Sequence, residues 1–234
     1  MPVADAVTTP VLDHGFVRLI ECWGSDERVI EAARMSTNKG FQGWDTDEKL
    51  LAYLYNNKHS TPFEMAGLVL EVKAPIFVFR EWHRHRTQSY NEMSARYVPL
   101  PDENYVPRVD RIMSGAAPTG NRQAAGMVEP ASPPRMTEWV ARLVNLYAEA
   151  QAVYAEGLEL GVPKELARLS VPVARYSRMR ASANLRNWLA FLTLRMSPNA
   201  QWEIRQYANA VGTLVAERFP RTWSLFEKGR GHAS

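Results

Sequence analysis

Residues 84–97 read RHRTQSYNEMSARY. Arg84 and Arg86 bracket His85, Asn91 and Glu92 follow at short spacing, and Ser94 and Arg96 close the stretch. Guanidinium groups bind phosphates and carboxylates through paired N–H donors. A run this dense in costly polar groups, set after the apolar run PIFVF (75–79), asks for a ligand. A basic helix end facing solvent would account for one or two of the arginines, because cations favour the C-terminal end of the helix dipole. It does not account for Asn91, Glu92, Ser94 and Arg96 just beyond.

Two further clusters carry possible chemistry. In KHSTPFEM (58–65), His59, Ser60, Thr61 and Glu64 surround the rigid Pro62. Ser60 or Thr61 can cap a short turn with Glu64 completing a capping box, and the same groups can also touch a ligand. Between Lys164 and Arg195 there are seven Lys or Arg and one acid, Glu165, with Asn184 and Asn187 among them. That excess suits a phosphorylated ligand or a nucleic acid better than a neutral substrate. Gln201, Trp202 and Glu203 gather at a helix start after MSPN, a natural place for an anion or ligand.

Other chemistries are disfavoured. His83 and His85 form His-x-His, but zinc needs three or four convergent ligands. Cys22 is the one thiol, the other histidines are His14, His59 and His232, and Arg84 and Arg86 would set positive charge beside an ion. No metal is expected. Ser94 lacks a nucleophile-elbow context, and neither G-x-G-x-x-G nor a Walker A motif occurs.

Elements must hold these groups in place. FVRLIECWG (16–24) and AGLVLEVKA (66–74) read as strands, and YSRMRASA (176–183) as a third. SDERVIEAARMS (25–36) reads as a helix capped by Ser25, and 45–58 as one capped by Asp45 or Thr46. Pro75 suits the first position of a helix over 75–86, on which Arg80 and Arg84 share a face, as do Trp82 and Arg86. Phe79 and Trp82 would face the core. Residues 98–134 hold seven prolines and three glycines and read as one long loop, of the kind that is a binding loop, a lid or disordered. Helices are expected over 135–160, 163–170, 184–196, 199–219 and 222–228, with flexible termini at 1–15 and 228–234. The expected class is α+β: a small antiparallel or mixed sheet with several helices, forming a single domain over 1–234.

Length and composition bound the partners. The chain has 234 residues, 46% hydrophobic and 23% charged, with a formal net charge of +3. A lone cysteine excludes an internal disulfide and makes the cytoplasm the default compartment. The N-terminal stretch lacks a basic-then-apolar signal pattern, and apolar runs fall far short of a membrane span, so no membrane partner is expected. Trp82, Tyr90, Tyr97 and Tyr176 interleave with basic residues as on a single-strand-binding platform. The modest net charge and the particular polar pattern argue against nucleic acid.

The stretch 84–97 resembles the signature of flavin-dependent thymidylate synthases: R-H-R, seven residues, then Ser, with Ser89, Asn91, Glu92, Arg96 and Tyr97 also in place. AARMS (32–36), HSTPFE (59–64), VKAPIFVFREW (72–82), GNRQ (120–123), GVPKELARLSVP (161–172), NLRNWLAFLTLR (184–195) and AQWEIRQYA (200–208) agree in order, so the likeness spans Phe16 to Phe226. It implies a homotetramer of α+β protomers with active sites shared between subunits. It implies binding of FAD, dUMP, a methylenetetrahydrofolate and NADPH, and reductive methylation of dUMP to dTMP.

By that resemblance Ser36, His59, Thr61, Glu64, Arg84, His85, Arg86, Glu92, Asn184, Leu185, Arg186, Ala190 and Asn199 would hold the flavin or folate. Glu81, Trp82, His83, Arg84, Glu92, Met93, Ser94, Ala95, Arg96, Arg168 and Arg195 would surround dUMP, with Arg195 catalytic at the uracil edge. Chemistry agrees: a phosphate dianion wants arginine and backbone N–H groups, and charge building on uracil wants a fixed cation. Hydride transfer needs orientation and no protein nucleophile. This chain departs from the family pattern at Glu81, usually Gln, at Met65 and Asn199, usually His, and at Ala190, often polar.

Overall fold

The computed structural model describes residues 8–115 and 131–231. Five strands form one antiparallel sheet in the order β1-β2-β3-β5-β4: β1 (Thr8–Val11), β2 (Gly15–Trp23), β3 (Gly67–Pro75), β4 (Ser89–Glu92) and β5 (Tyr176–Asn184). Strand alternation sorts the two faces. Leu68, Leu70 and Val72 of β3 stand opposite Ala183, Ala181 and Met179 of β5, and all six are buried on the core face. The other face is charged, with Glu71 paired to Arg18 of β2 and Arg178 of β5.

Nine α-helices accompany the sheet among the described residues, and those at 76–82, 185–195 and 202–218 pack against its strands. The nine are α1 (Asp26–Arg34), α2 (Trp44–Asn56), α3 (Ile76–Trp82), α4 (Val109–Gly115), α5 (Pro133–Glu159), α6 (Lys164–Ala167), α7 (Leu185–Arg195), α8 (Trp202–Arg218) and α9 (Pro220–Gly231). Along α8, Ile204, Tyr207, Ala208, Val211, Leu214 and Val215 are buried at the three-and-four spacing of an amphipathic helix. Trp82 of α3 is sealed against α7, with its ring stacked on Phe191 at 4.6 Å between centroids. No helix among the described residues is long and apolar enough to cross a membrane.

Several local expectations are corrected. α2 starts at Trp44 after Gly43 (φ 98°), so neither Asp45 nor Thr46 caps it. Instead Asp47, fully buried, accepts from the Gln42 N–H at 2.7 Å and pairs with Arg34. Ser60 makes no side-chain cap on the 3-10 turn Thr61–Met65, and Glu64 turns to Arg186 rather than to a capping box. The helix expected over 75–86 ends at Trp82. The Tyr90 hydroxyl donates to the carbonyls of Trp82 and His85, and β4 draws the following residues onto β5. Arg80/Arg84 and Trp82/Arg86 therefore share no helical face.

The segment read as one loop over 98–134 contains α4 and the first turn of α5, which opens on Pro133 and Pro134. Residues 116–130, including GNRQ, lie outside the described residues. The termini are also more structured than expected. Thr8–Val11 pairs with β2, and α9 runs to Gly231, while 1–7 and 232–234 lie outside the described residues. At the start of α8, Glu203 is buried and held by Arg111 at 2.8 Å and the Tyr105 hydroxyl at 3.2 Å, so the carboxylate there belongs to the chain itself.

Candidate active site

Helix α7 organises the polar residues at both of its ends. At its start Asn184 leaves β5 extended, and its side chain accepts from the Asn187 N–H at 2.9 Å, a capping geometry. Arg186, in the first turn, pairs with Glu64 at 2.5 Å, and the Asn187 side chain donates to the Thr87 carbonyl at 3.0 Å. Segments 59–65 and 83–88 are thus tied to the same helix end. At its other end, Arg195 donates from Nε to His85 Nε2, from Nη1 to Glu81 Oε2 and from Nη2 to the Glu81 carbonyl, each at 2.8 Å. Three bonds fix the plane of the guanidinium.

Arginine has only donors, so His85 must accept at Nε2 and carry its proton on Nδ1. Burial, and then the Arg195 cation, push the His85 pKa from 6.5 down to about 4. The ring is therefore neutral at ordinary pH. The linkage has a definite sign. The unfolded chain takes up this proton on acidification near pH 6.5 while the folded chain refuses it until about pH 4, so this part of the stability falls with pH across that window. His85→Gln keeps an acceptor and removes the titration. Urea unfolding at pH 4.5 and 7.5 should show a smaller loss for His85→Gln than for the parent; equal losses would mean that the ring is not held neutral.

Two clefts adjoin these elements. One, of about 530 Å³, is lined by Arg34, Ser36, His59 and Thr61 among others. The second, of about 350 Å³, is lined by Glu92, Met93, Ser94, Ala95, Arg168 and Ser177, with Ile76, Leu100 and Val171 as its apolar part. Its polar rim forms because the Met93 N–H donates to the Arg178 carbonyl, prolonging the β4 pairing by one residue. The chain then turns, and the Ser94 carbonyl accepts from the Tyr97 and Val98 N–H groups.

The sequence-expected residues therefore fall into groups. Ser36, His59 and Thr61 share the first cleft; Glu92, Met93, Ser94, Ala95 and Arg168 share the second. Glu81, His85 and Arg195 form the hydrogen-bonded unit at the end of α7 and line neither. Arg84 and Arg86 are exposed, with no hydrogen bond or ion pair among the described residues. Arg96 is exposed and pairs with Glu165 at 3.4 Å. His83 lies between Phe79 and Tyr90, Ala190 and Asn199 are exposed, and the side chains of Trp82 and Leu185 are buried in the core. No group of three or more His, Cys, Asp or Glu among the described residues could hold a metal ion.

Two residues were not singled out from sequence. Arg34 lines the first cleft, pinned by buried Asp47. Ser177 lines the second, its Oγ buried without a hydrogen-bond partner among the described residues. The available signal was strand alternation, which sets Ser177 on the same face as Met179 and Ala181, a lone hydroxyl among apolar neighbours.

Comparison with known proteins follows the same residues. Residues 18–221 match the family model described as Thy1, thymidylate synthase complementing protein. A flavin-dependent thymidylate synthase of Thermus thermophilus is 42% identical over 224 residues, covering 95% of this chain and 79% of that protein. One of Thermotoga neapolitana is 39% identical over 219 residues, covering 94% of each. Among solved structures, the UMP/dUMP methylase PolB from Streptomyces cacaoi bound with 5-Br dUMP superposes with a TM-score of 0.82 at 31% identity, covering 94% of this chain and 97% of that one. The same methylase bound with 5-Br UMP gives 0.81 at 32% identity.

Proposed function

The chain belongs to the Thy1 family, the flavin-dependent thymidylate synthases, and from that premise we propose that it methylates dUMP at C5 to give dTMP. The carbon comes from methylenetetrahydrofolate, FAD reduced by NADPH supplies the hydride, and tetrahydrofolate leaves. The whole chain acts as one domain of a cytoplasmic homotetramer.

The observation that carries the reading is the second cleft, where Glu92–Ala95 from the signature meet Arg168 from a distant segment. Arg168 and the turn at Ser94–Arg96 bind the nucleotide phosphate, which is best met by arginine and N–H donors. Arg195, oriented by His85 and Glu81, faces the uracil edge and stabilises the negative charge that builds there. Glu81, Arg84 and Arg195 do not line the cleft of their own Ser94, which supports a site completed by a neighbouring copy.

The residues also suit a flavin. Arg84 and Arg86 offer exposed guanidinium groups, unpaired among the described residues, for a diphosphate, and Ser36, His59 and Thr61 line a cleft of about 530 Å³. Glu64, Asn184 and Arg186 fix the adjoining helix end. Titrating FAD into apo-protein should quench flavin fluorescence in a saturable way. No saturation at micromolar protein would sink this reading.

A second reading, a ribonucleotide as substrate, is favoured by the PolB relative solved with 5-Br UMP as well as 5-Br dUMP. Calorimetric titration with dUMP and with UMP separates the two. In the same titration, Ser94→Ala should weaken dUMP binding by about 1–3 kcal/mol while some turnover persists, since its hydroxyl serves as a hydrogen-bonding group. Complete loss of turnover at unchanged affinity would instead mark Ser94 as a nucleophile.

A further inference from the structure

The second cleft has a mouth and a floor of different character. Glu92 and Arg168 stand exposed at the mouth, with Met93 and Ser94 half-buried behind them. Ala95, Leu100 and Ser177 are buried at the floor. Ser177 is the polar side chain of that floor. It is 1% exposed, and its Oγ has no hydrogen-bond partner among the described residues. A buried hydroxyl left unpaired costs free energy, and most buried polar side chains avoid that cost by pairing.

The sheet fixes where this hydroxyl stands. Ser177 lies opposite Ala74 in the β3–β5 ladder. Before it, the Arg175 carbonyl accepts from the Ile76 N–H at 2.9 Å; after it, the Arg178 carbonyl accepts from the Met93 N–H at 2.7 Å. Ala74, Met179 and Ala181 share its face of the sheet and bring no hydroxyl, amide or charge to it. A polar atom held this rigidly in a cleft wall serves a ligand better than it serves the fold.

The chemistry of the cleft narrows which ligand group that is. A phosphate dianion belongs at the exposed mouth, beside Arg168 and the N–H groups of the turn at Ser94. The floor offers a neutral hydroxyl, which gives a full charge too little compensation for leaving water. The uracil edge falls to Arg195, which does not line this cleft. The sugar, which joins phosphate to base, is what remains. A serine hydroxyl both donates and accepts, so it pairs with a sugar hydroxyl in either direction. Ile76, Leu100 and Val171 supply an apolar wall for the ring carbons. We propose, on the strength of the nucleotide reading above, that Ser177 is a specificity-determining residue that hydrogen-bonds the 3′-hydroxyl of the bound nucleotide, the sugar hydroxyl that dUMP and UMP share.

Calorimetric titration of the full chain, loaded with FAD, tests this with dUMP, UMP and 2′,3′-dideoxyuridine 5′-monophosphate, which lacks the 3′-hydroxyl. The parent should bind dUMP about tenfold or more tighter than the dideoxy nucleotide. Ser177→Ala should lose affinity for dUMP and UMP by about that factor and keep its affinity for the dideoxy nucleotide, so that the preference nearly disappears. Alanine removes one buried oxygen that the fold does not pair, so the urea midpoint measured without nucleotide should not fall. A Ser177→Ala variant that keeps the parental preference overturns the proposal. So does an equal loss for all three nucleotides, which would make Ser177 a packing residue, and so does a loss confined to UMP, which would move its partner to the 2′-hydroxyl. A lowered urea midpoint would show the hydroxyl to be bonded within the fold and would overturn it as well. Failure of the parent to bind either dUMP or UMP is a separate result: it removes the nucleotide reading, and this inference with it.

Discussion

Arg195→Ala and Arg195→Lys are both expected to slow dTMP formation on the order of a hundredfold or more, the usual consequence of removing one oriented transition-state donor. As a plain cation at the end of a helix, Arg195 would contribute only about 0.3–1 kcal/mol of stability. The role proposed above asks more of it. Three hydrogen bonds of 2.8 Å, to His85 and to the side chain and carbonyl of Glu81, hold the guanidinium in one plane. In the proposed reaction an oriented donor of this kind would act as charge grows on the uracil edge, so turnover should suffer more than dUMP affinity. Lysine keeps the charge but has neither the planar fork nor the reach to satisfy His85 and Glu81 together. Both variants should fold and bind FAD, because the apolar face of α7 through Trp188, Phe191 and Leu192 is untouched. Single-turnover oxidation of the reduced enzyme by dUMP and methylenetetrahydrofolate is the measurement, with dUMP affinity measured alongside. Reoxidation of Arg195→Lys at the parental rate would return Arg195 to a structural cation.

Trp82→Ala should lower stability by about 3–5 kcal/mol, the range for deleting a large aromatic from a packed core. Expected from sequence to surround the substrate, Trp82 has a fully buried side chain. Its ring stacks on Phe191, meets Trp188 and Tyr207 edge-on, and donates from Nε1 to Gln88 at 3.0 Å. The cavity left behind would lie between α3 and α7, the two helices that carry Glu81 and Arg195. Trp82→Phe, which keeps most of the aromatic volume, should lose much less. Urea unfolding at fixed protein concentration measures both, and a loss below about 1 kcal/mol for Trp82→Ala would mean that the core closes around the gap. Against a total stability of about 5–15 kcal/mol, the larger loss is enough to unfold a marginal domain.

Much of the architecture was legible because local signals and burial agree. β2 and β5 carry the alternation of half-buried strands, β3 reads as a strand that is buried nearly throughout, and α7 and α8 carry the three-and-four spacing of helices. Ser25 accepts from the Arg28 N–H as an N-cap should. The errors arose where a distant group overrides a local preference. Residues 83–86 continue a helical pattern, but the Tyr90 hydroxyl takes two of the carbonyls at that end and β5 recruits Ser89–Glu92 as an edge strand. Thr8–Val11 has little to mark it as a strand until β2 provides its partners.

By itself the sequence determined the chemistry on offer: the residue types of RHRTQSYNEMSARY, their spacing, and the family to which that spacing belongs. Those are properties of neighbours along the chain. Tertiary structure decided which of these groups meet. Only the fold brings Arg195 onto His85 and Glu81, more than a hundred residues earlier, and turns His85 into a neutral acceptor by burying it beside a cation. Only the fold sets Arg168 beside Ser94, and withdraws the Trp82 side chain from any ligand by placing it under Phe191. The reason is physical: a hydrogen bond, a depressed pKa and a buried ring each depend on groups within a few ångströms in space, and spacing along the chain does not specify that distance.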